Sequence, residues 1–280
     1  MKVISKQVSH LLVCVLLSSI GFAQGVKEVV GTQAGHSAEH PPKGKILMIA
    51  ANPGVSKQTG WPIGCWASEL THPYYEFEKA GYQIDIASPA GGKLEFDAYS
   101  NPTHESGYSA HDYLTLGFMQ SPARMKQLEN SLKLAEVDLQ AYDAYFFVGG
   151  QSPMYTFRGN AEVLKGLTHM YDSGKPTALV CHSTCLLLDA KQRNGKRIVE
   201  GKTWTGFADS EEQYADSFVG QRIQPFWIET EARKLPNTTF KVQPAFTPYA
   251  IQDGTLITGQ QQNSGPAAAQ LVLQQLEKKK

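Results

Sequence analysis

The chain has 280 residues, of which 26 are basic and 26 acidic, so its formal net charge at pH 7 is zero. This balance argues against a nucleic-acid partner, because proteins that bind polyanions carry clustered Lys and Arg side chains. The length, together with a hydrophobic fraction of 41%, allows one sizeable hydrophobic core.

The N-terminus has the pattern of a secretory signal peptide. Lys2 and Lys6 precede the apolar run 11–17, and small residues lead up to Ala23, where we expect cleavage. An uncleaved N-terminal anchor is the alternative. No later stretch is apolar enough to cross a bilayer, so we expect an exported, periplasmic or secreted, protein without membrane contact after cleavage. The predicted organisation is a signal peptide at 1–23, a flexible leader at 24–43 and an α/β domain at 44–280.

Short apolar runs alternate with amphipathic segments along the rest of the chain. The predicted strands are 45–51, 82–89, 142–150 and 175–180, followed by a hairpin of 249–252 and 255–259. The predicted helices are 68–79, 121–135, 161–172, 181–188 and 266–276. Residues 90–120 have no clear period and are predicted to form a long inserted loop. This alternation predicts a flavodoxin-like, doubly wound, mainly parallel sheet with helices on both faces.

Cys181 stands where a predicted strand ends and a helix begins. In such a sheet, ligands bind at the carboxyl ends of the strands. A side chain projects from the tight turn at this position, and free N–H groups of the following helix favour a thiolate. Cys181 is therefore a candidate nucleophile, and a buried structural cysteine is the alternative.

Several motifs in this order resemble the ThiJ/PfpI superfamily, the class I glutamine amidotransferase-like fold, and within it the heat-shock chaperone and glyoxalase III branch. The motifs are Gly149-Gly150-x-x-Pro153-Met154, Val180-Cys181-His182, Thr205-Gly206-Phe207 and Asp253-Gly254-x-Leu256-Ile257-Thr258-Gly259-Gln260. The resemblance covers most of residues 44–276. It strengthens the interpretation of Cys181 as a nucleophile.

The resemblance implies three further catalytic residues. Glu69 matches the glutamate beside the nucleophile, and His182 matches the histidine that follows it. Glu212 matches the acid that orients this histidine, with Glu211 as the close alternative. The implied enzyme acts on small reactive carbonyls and converts methylglyoxal to lactate without a cofactor, a metal or glutathione. The implied assembly is a homodimer.

The expected chemistry is thiol addition to an aldehyde, followed by proton transfer between adjacent carbons and release of a 2-hydroxy acid by water. Main-chain N–H groups near Gly150 and after Cys181 are expected to hold the developing oxyanion. This makes Gly150, Gln151 and Ser183 the predicted oxyanion and substrate-binding residues. The branch usually has His-Gly and Gly-Pro where this chain has Gln151-Ser152 and Ser183-Thr184. These departures indicate an altered substrate preference or a loss of activity.

Three cysteines remain after signal cleavage, namely Cys65, Cys181 and Cys185. An odd number leaves at least one thiol free or paired with another chain. Cys185 is interpreted as a packing residue or a resolving thiol, and a disulfide from Cys65 to either of the others is a further possibility in an oxidising compartment.

Two alternatives to the carbonyl enzyme stay open on the sequence. A holdase chaperone would bind unfolded-protein clients and would not need Cys181, whereas a peptidase or amidase would use the same nucleophile in a wider cleft. The inserted loop contains four possible metal ligands, since relatives in this branch carry a metal site of His and Glu ligands. They are His104, Glu105, His111 and Asp112. Their spacing matches no strong zinc pattern, and we predict no metal.

Overall fold

The computed structural model describes residues 41–278. The predicted signal peptide, and the predicted leader up to residue 40, lie outside these residues. Within the described range, no helix combines the length and the apolar character that crossing a membrane requires.

The strands are short, as is usual in an α/β sheet. They are β1 (Lys45–Ile49), β2 (Gly54–Val55), β3 (Pro62–Ile63), β4 (Gln83–Ser88), β5 (Leu132–Lys133), β6 (Ala144–Phe147), β7 (Thr177–Val180), β8 (Thr203–Trp204), β9 (Thr239–Phe240), β10 (Ala250–Asp253) and β11 (Leu256–Gly259). The α-helices are α1 (Ala67–Lys79), α2 (Tyr113–Met119), α3 (Pro122–Glu129), α4 (Pro153–Thr156), α5 (Ala161–Asp172), α6 (Asp209–Val219), α7 (Ile228–Ala232) and α8 (Gly265–Glu277). Short 3-10 helices cover Ala98–Ser100, Leu134–Glu136, Leu139–Ala141, Cys181–Leu188 and Gln262–Ser264.

Over residues 41–278, seven strands form one sheet in the order β10-β11-β7-β6-β1-β4-β5. All neighbouring strands pair in parallel except the β10–β11 hairpin. Helices pack around this sheet, and α1 contacts α8. The predicted flavodoxin-like class is confirmed. Since β6 lies between β1 and β7, the segments that follow these three strands meet at one edge.

The central strands are apolar on both faces because helices cover both. Residues 46–49 of β1 and all of β6 and β7 are buried. Such continuous apolar runs are typical of parallel strands inside an α/β sheet. The buried core thus supports the segments that follow β1, β6 and β7.

Two sequence predictions on local structure are wrong, and one helix was missed. The predicted helix 121–135 ends at Glu129, because residues 132–133 pair with β4 instead. The predicted loop 90–120 contains helix α2, whose N-cap is the Asp112 carboxylate accepting the Thr115 N–H. Helix α6 was not predicted, since it buries Glu211 and Glu212 where an amphipathic pattern would place apolar residues.

Candidate active site

Cys181 lies in a strained turn between β7 and a 3-10 helix. Its φ is +58°, a left-handed conformation that non-glycine residues rarely adopt, and its side chain is buried. Two neighbouring hydroxyls hold the turn. The Ser183 Oγ accepts the Val180 N–H at 2.9 Å, and the Thr184 hydroxyl donates to the Cys181 carbonyl at 2.6 Å. The structure therefore has the nucleophile-elbow geometry that the sequence predicted.

A histidine and a carboxylate extend from the thiol in a line. The Cys181 Sγ lies 3.3 Å from the His182 Nδ1, and the His182 Nε2 lies 3.1 Å from the Glu212 Oε1. The imidazole stacks on the Phe207 ring at a centroid distance of 4.1 Å. Because Glu212 accepts at Nε2, the Nδ1 atom is left to accept the thiol proton.

Glu69 approaches the thiol from the other side. It lies in the first turn of α1, is fully buried, and its Oε2 accepts the Gly149 N–H at 3.0 Å. Burial raises the pKa of the Glu69 carboxyl to about 8, although contact with the Cys181 thiol acts in the opposite direction. Glu69 is thus largely protonated at neutral pH, and its pKa suits a group that both donates and accepts protons there.

The prediction that the elbow favours the thiolate is wrong for this environment. Burial raises the pKa of the Cys181 thiol well above its ordinary value, and the nearby Glu69 carboxyl raises it further. The main-chain N–H of His182 lowers the pKa of the thiol, but it does not reverse this shift. Deprotonation of Cys181 therefore depends on a neighbouring base.

Two glycines allow the strand loops to approach the thiol closely. A Cβ on Gly149 would lie 2.6 Å from the Val180 carbonyl oxygen and 2.8 Å from the Cys181 Cβ, and it would overlap the Glu69 Oε2. Gly150 has φ +107°, and a Cβ there would lie 2.7 Å from the Cys65 Cα. The double glycine is needed because only a bare backbone fits between α1 and the elbow.

Gly149→Ala is expected to displace both Glu69 and Cys181, because the added methyl group has no free space. We expect a loss of stability of about 1–3 kcal/mol, as in other overpacked sites, and a large loss of the Cys181-dependent activity. Gly166→Ala is the matched control, since its nearest neighbour beyond its own helix would be 3.5 Å away. Urea unfolding of both variants checks the prediction, and equal stability would contradict it.

Asp97 is a site residue that the sequence analysis missed. It is buried, and its two carboxylate oxygens accept the Gly64 and Gln151 N–H groups, each at 2.8 Å. Burial raises the pKa of Asp97 to about 6, and these two hydrogen bonds oppose the shift. Asp97 lies in the inserted segment and belongs to no motif, so no sequence signal pointed to it.

The predicted substrate-binding residues divide into two groups. Gly150 and Gln151 line the pocket above Cys181, whereas Ser183 does not. The Ser183 hydroxyl is already occupied, since it donates to the Phe147 and Val180 carbonyls. The Ser183 side chain therefore has no free donor for a substrate, whereas the prediction concerned main-chain N–H groups. Of these, the Gln151 N–H is engaged by Asp97.

Of the two glutamates considered as the partner of His182, Glu212 makes the contact. Glu211 points elsewhere. Its Oε2 accepts the Ala208 N–H and its Oε1 accepts the Phe246 N–H, each at 2.9 Å. Phe246 has φ +60°, so Glu211 holds a strained loop in place.

The cysteines form no disulfide within the described residues, and the polar residues of the inserted loop form no metal site there. Cys65, Cys181 and Cys185 are free, buried thiols. Burial raises the pKa of Cys185 to about 12, which favours packing over reactivity.

Asp112 is paired with His72 at 2.8 Å. Across residues 41–278, no three His, Cys, Asp or Glu side chains converge as a metal site would require.

A pocket leads to Cys181, and aromatic rings form most of its upper part. Trp61, Trp66 and Phe207 line its wall. Five more rings, which we call the aromatic rim, line it as well. They are Tyr99, Tyr108, Tyr214, Phe218 and Phe246. Sequence reasoning missed the rim because its members come from separate segments with no common pattern.

This fold and site define a class of protein. Residues 64–275 match the DJ-1/PfpI family, and the chain belongs to it. The match runs from the segment before α1 to the last helix, with β1 lying before it, and it includes Glu69, Cys181 and Glu212.

Individual relatives are similar at modest identity. A probable glutathione-independent glyoxalase of Schizosaccharomyces pombe is 27% identical and aligns over 84% of this chain and all of its own length. Glyoxalase 3 of Candida albicans is 24% identical over 78% of this chain and 92% of its own. Among solved structures, the 24 kDa rapid encystment protein of Francisella tularensis superposes with a TM-score of 0.74 at 28% identity, covering 83% of this chain and 99% of the other. Glyoxalase III from Candida albicans has the same fold, with a TM-score of 0.69 at 23% identity over 82% and 96% of the two chains.

Proposed function

We propose that the protein is a glutathione-independent glyoxalase that converts a 2-oxoaldehyde and water to a 2-hydroxy acid. The observation that carries this proposal is a buried thiol with a histidine on one side and a carboxyl of raised pKa on the other. This arrangement supplies a nucleophile and two proton carriers. Relatives named as glyoxalases support the same activity.

The first step uses Cys181 and His182. The thiol proton passes to the His182 Nδ1, the sulfur bonds to the aldehyde carbon, and the proton moves to the former aldehyde oxygen to give a hemithioacetal. Glu212 stabilises the imidazolium that forms, because it accepts at Nε2.

The second step uses Glu69. As a carboxylate it removes the hydrogen from the carbon bonded to sulfur, and the electrons shift to give an enediol. It then returns the proton to the neighbouring carbon while the hydroxyl proton on the former aldehyde oxygen passes to the former ketone oxygen, which leaves a thioester and a new hydroxyl. Water cleaves the thioester to the acid and restores the thiol. The aldehyde carbon is oxidised as the ketone carbon is reduced, so the reaction balances without an external oxidant.

The four residues that depart from the usual His-Gly and Gly-Pro do not fill the pocket. Ser152 is buried and its hydroxyl donates to the Asn52 carbonyl. Ser183 and Thr184 use their hydroxyls within the elbow. Gln151 alone of these four lines the pocket, and its buried amide oxygen has no hydrogen-bond partner within the described part of the chain.

The test of this function is the conversion of methylglyoxal to lactate by the purified mature protein in the absence of glutathione. Lactate is measured enzymatically, with and without a reductant. Formation of lactate in proportion to protein supports the proposal. Its absence with the Cys181 thiol shown to be free would refute it for this substrate.

Glu212→Gln is expected to lower kcat by about 10²-fold, because the amide cannot stabilise the imidazolium of His182. Glu211→Gln is the control on the adjacent residue. It should leave kcat within a few-fold while lowering stability by about 1–3 kcal/mol, since Glu211 carries several buried hydrogen bonds. Kinetics and urea unfolding on both variants check this assignment, and the reverse pattern would contradict it.

We propose further that the protein is exported after cleavage behind Ala23 and that it forms a homodimer. The sequence pattern at residues 1–23 supports the first statement, and the resemblance to the family supports the second. N-terminal sequencing of the protein from its own cells and analytical ultracentrifugation are the respective measurements. The similar proteins named as glyoxalases do not favour the holdase alternative.

A further inference from the structure

We propose that this pocket selects neutral 2-oxoaldehydes with an aromatic substituent over methylglyoxal, and that the aromatic rim recognises that substituent. The inference rests on the proposed function, because it concerns the substrate class of the same site. Three features of the pocket carry it.

The first feature is the charge of the pocket. Its lining includes the carboxyl groups of Glu69 and Glu212, and no Lys or Arg side chain among the described residues. An anionic carbonyl, such as a phosphorylated or carboxylated one, would find no Lys or Arg in this lining to pair with. The lining therefore favours an uncharged substrate.

The second feature is the position of the rings. The polar groups Glu69 and His182 contact the Cys181 thiol, whereas the rim rings come from the inserted segment, from α6 and from the loop at Phe246. The carbonyl carbons of a 2-oxoaldehyde must lie at the sulfur, so its substituent is directed away from the polar groups. Methylglyoxal carries only a methyl group there and leaves most of the aromatic surface without a contact.

The third feature is that the rim rings are held in place while remaining partly open to solvent. Phe218 packs edge-on against Tyr108 at 5.7 Å and Tyr99 at 6.1 Å, and Tyr214 packs against Phe246 at 5.0 Å. Yet Tyr108, Tyr214 and Phe218 remain 44%, 51% and 56% exposed. Rings that are held in place with exposed faces can bind an aromatic group. Edge-to-face packing then adds binding free energy beyond that of burying apolar area.

The expected size of the effect is large. A single methylene in an apolar pocket changes selectivity by about 10-fold or more, and a phenyl group replaces a methyl group here. We therefore expect kcat/KM for phenylglyoxal to exceed that for methylglyoxal by at least about 10-fold. Product formation is followed as mandelate and lactate, with the Cys181→Ala protein as the blank because arylglyoxals also react with arginine.

Phe218→Ala tests the role of the rim. Phe218 is more than half exposed, so its loss should not unfold the protein. We expect the ratio of the kcat/KM for phenylglyoxal to that for methylglyoxal to fall by about 10-fold. Tyr113→Ala is the matched control, since Tyr113 is a 72% exposed aromatic residue that does not line this pocket. An unchanged ratio in Phe218→Ala, or an equal fall in Tyr113→Ala, would overturn the inference.

Calorimetry with mandelamide and lactamide, unreactive neutral relatives of the two products, separates this inference from the proposed function. Cys181-dependent turnover of methylglyoxal at a rate equal to or above that of phenylglyoxal would overturn the inference and leave the function standing. If neither aldehyde is turned over, the proposed function fails. The binding data alone then show whether the pocket prefers an aromatic group. Tighter binding of mandelamide, weakened in Phe218→Ala, supports an aromatic site; equal binding of both amides excludes it.

Discussion

Cys181→Ala is expected to lower the turnover of methylglyoxal by at least about 10³-fold, because every step of the proposed reaction takes place on the sulfur of this residue. The side chain is small and lies at the base of the pocket, so its loss should not unfold the protein. Lactate formation over several hours measures the residual activity, and circular dichroism verifies the fold.

Cys185→Ala is the matched control for this experiment. Cys185 lies one turn further along the same segment, and its thiol contacts the Pro153 carbonyl at 3.6 Å without lining the pocket. This variant should retain most of the activity. If Cys181→Ala keeps more than a tenth of the parental rate, the covalent mechanism on Cys181 is wrong.

Glu69→Gln is expected to lower kcat by about 10²–10⁴-fold, which is the range for loss of a general acid–base group. The amide preserves the shape of the side chain but cannot remove a proton from carbon. Glu76→Gln is the control, because Glu76 lies two turns along the same helix and away from the pocket. A Glu69→Gln protein with the parental rate would show that another base transfers the proton.

The pH dependence should report the same group. The pKa of Glu69 is raised to about 8, so below this pH the carboxyl is mostly protonated and cannot act as a base. We expect kcat/KM of the parent to rise about tenfold from pH 6 to pH 7 and to level off above about pH 8. Glu69→Gln should lack this rise. A parental profile that is flat from pH 6 to pH 8 would contradict the assignment.

The same carboxyl should make folding sensitive to pH in a defined direction. In the unfolded chain the pKa of Glu69 is near its ordinary 4.5, whereas the folded protein holds the proton up to about pH 8. Between these values the folded state binds more protons, so the free energy of unfolding falls as the pH rises, by up to about 1.4 kcal/mol per unit. Urea unfolding of Glu69→Gln should show a weaker decline than the parent.

The sequence predicted the sheet well, because its strands carry the signal that matters for buried parallel strands. Apolar runs such as 45–49 end at Asn-Pro-Gly or glycine turns, and the Asp253-Gly254 turn marks the hairpin. It did not predict α6. This helix buries two carboxylates whose partners lie elsewhere in the chain, and such tertiary contacts leave no local pattern.

The candidate site was predictable only where a motif marked it. Cys181 and His182 follow a strand directly, and Glu69 and Glu212 came from resemblance to a family. Asp97 was missed because its role is to hold two backbone N–H groups from distant loops, which no residue spacing reveals. The thiol pKa was misjudged because the sequence shows the elbow but not the depth at which it is buried.

The two hydrogen bonds of Asp97 have a consequence for amide exchange. The Gly64 and Gln151 N–H groups are 87 residues apart in the chain, yet both are protected by the same side chain. Any opening that draws the inserted segment away exposes both amides to solvent in a single event. Their protection factors in deuterated water should therefore match and fall together, so these two amide protons report how often the inserted segment opens.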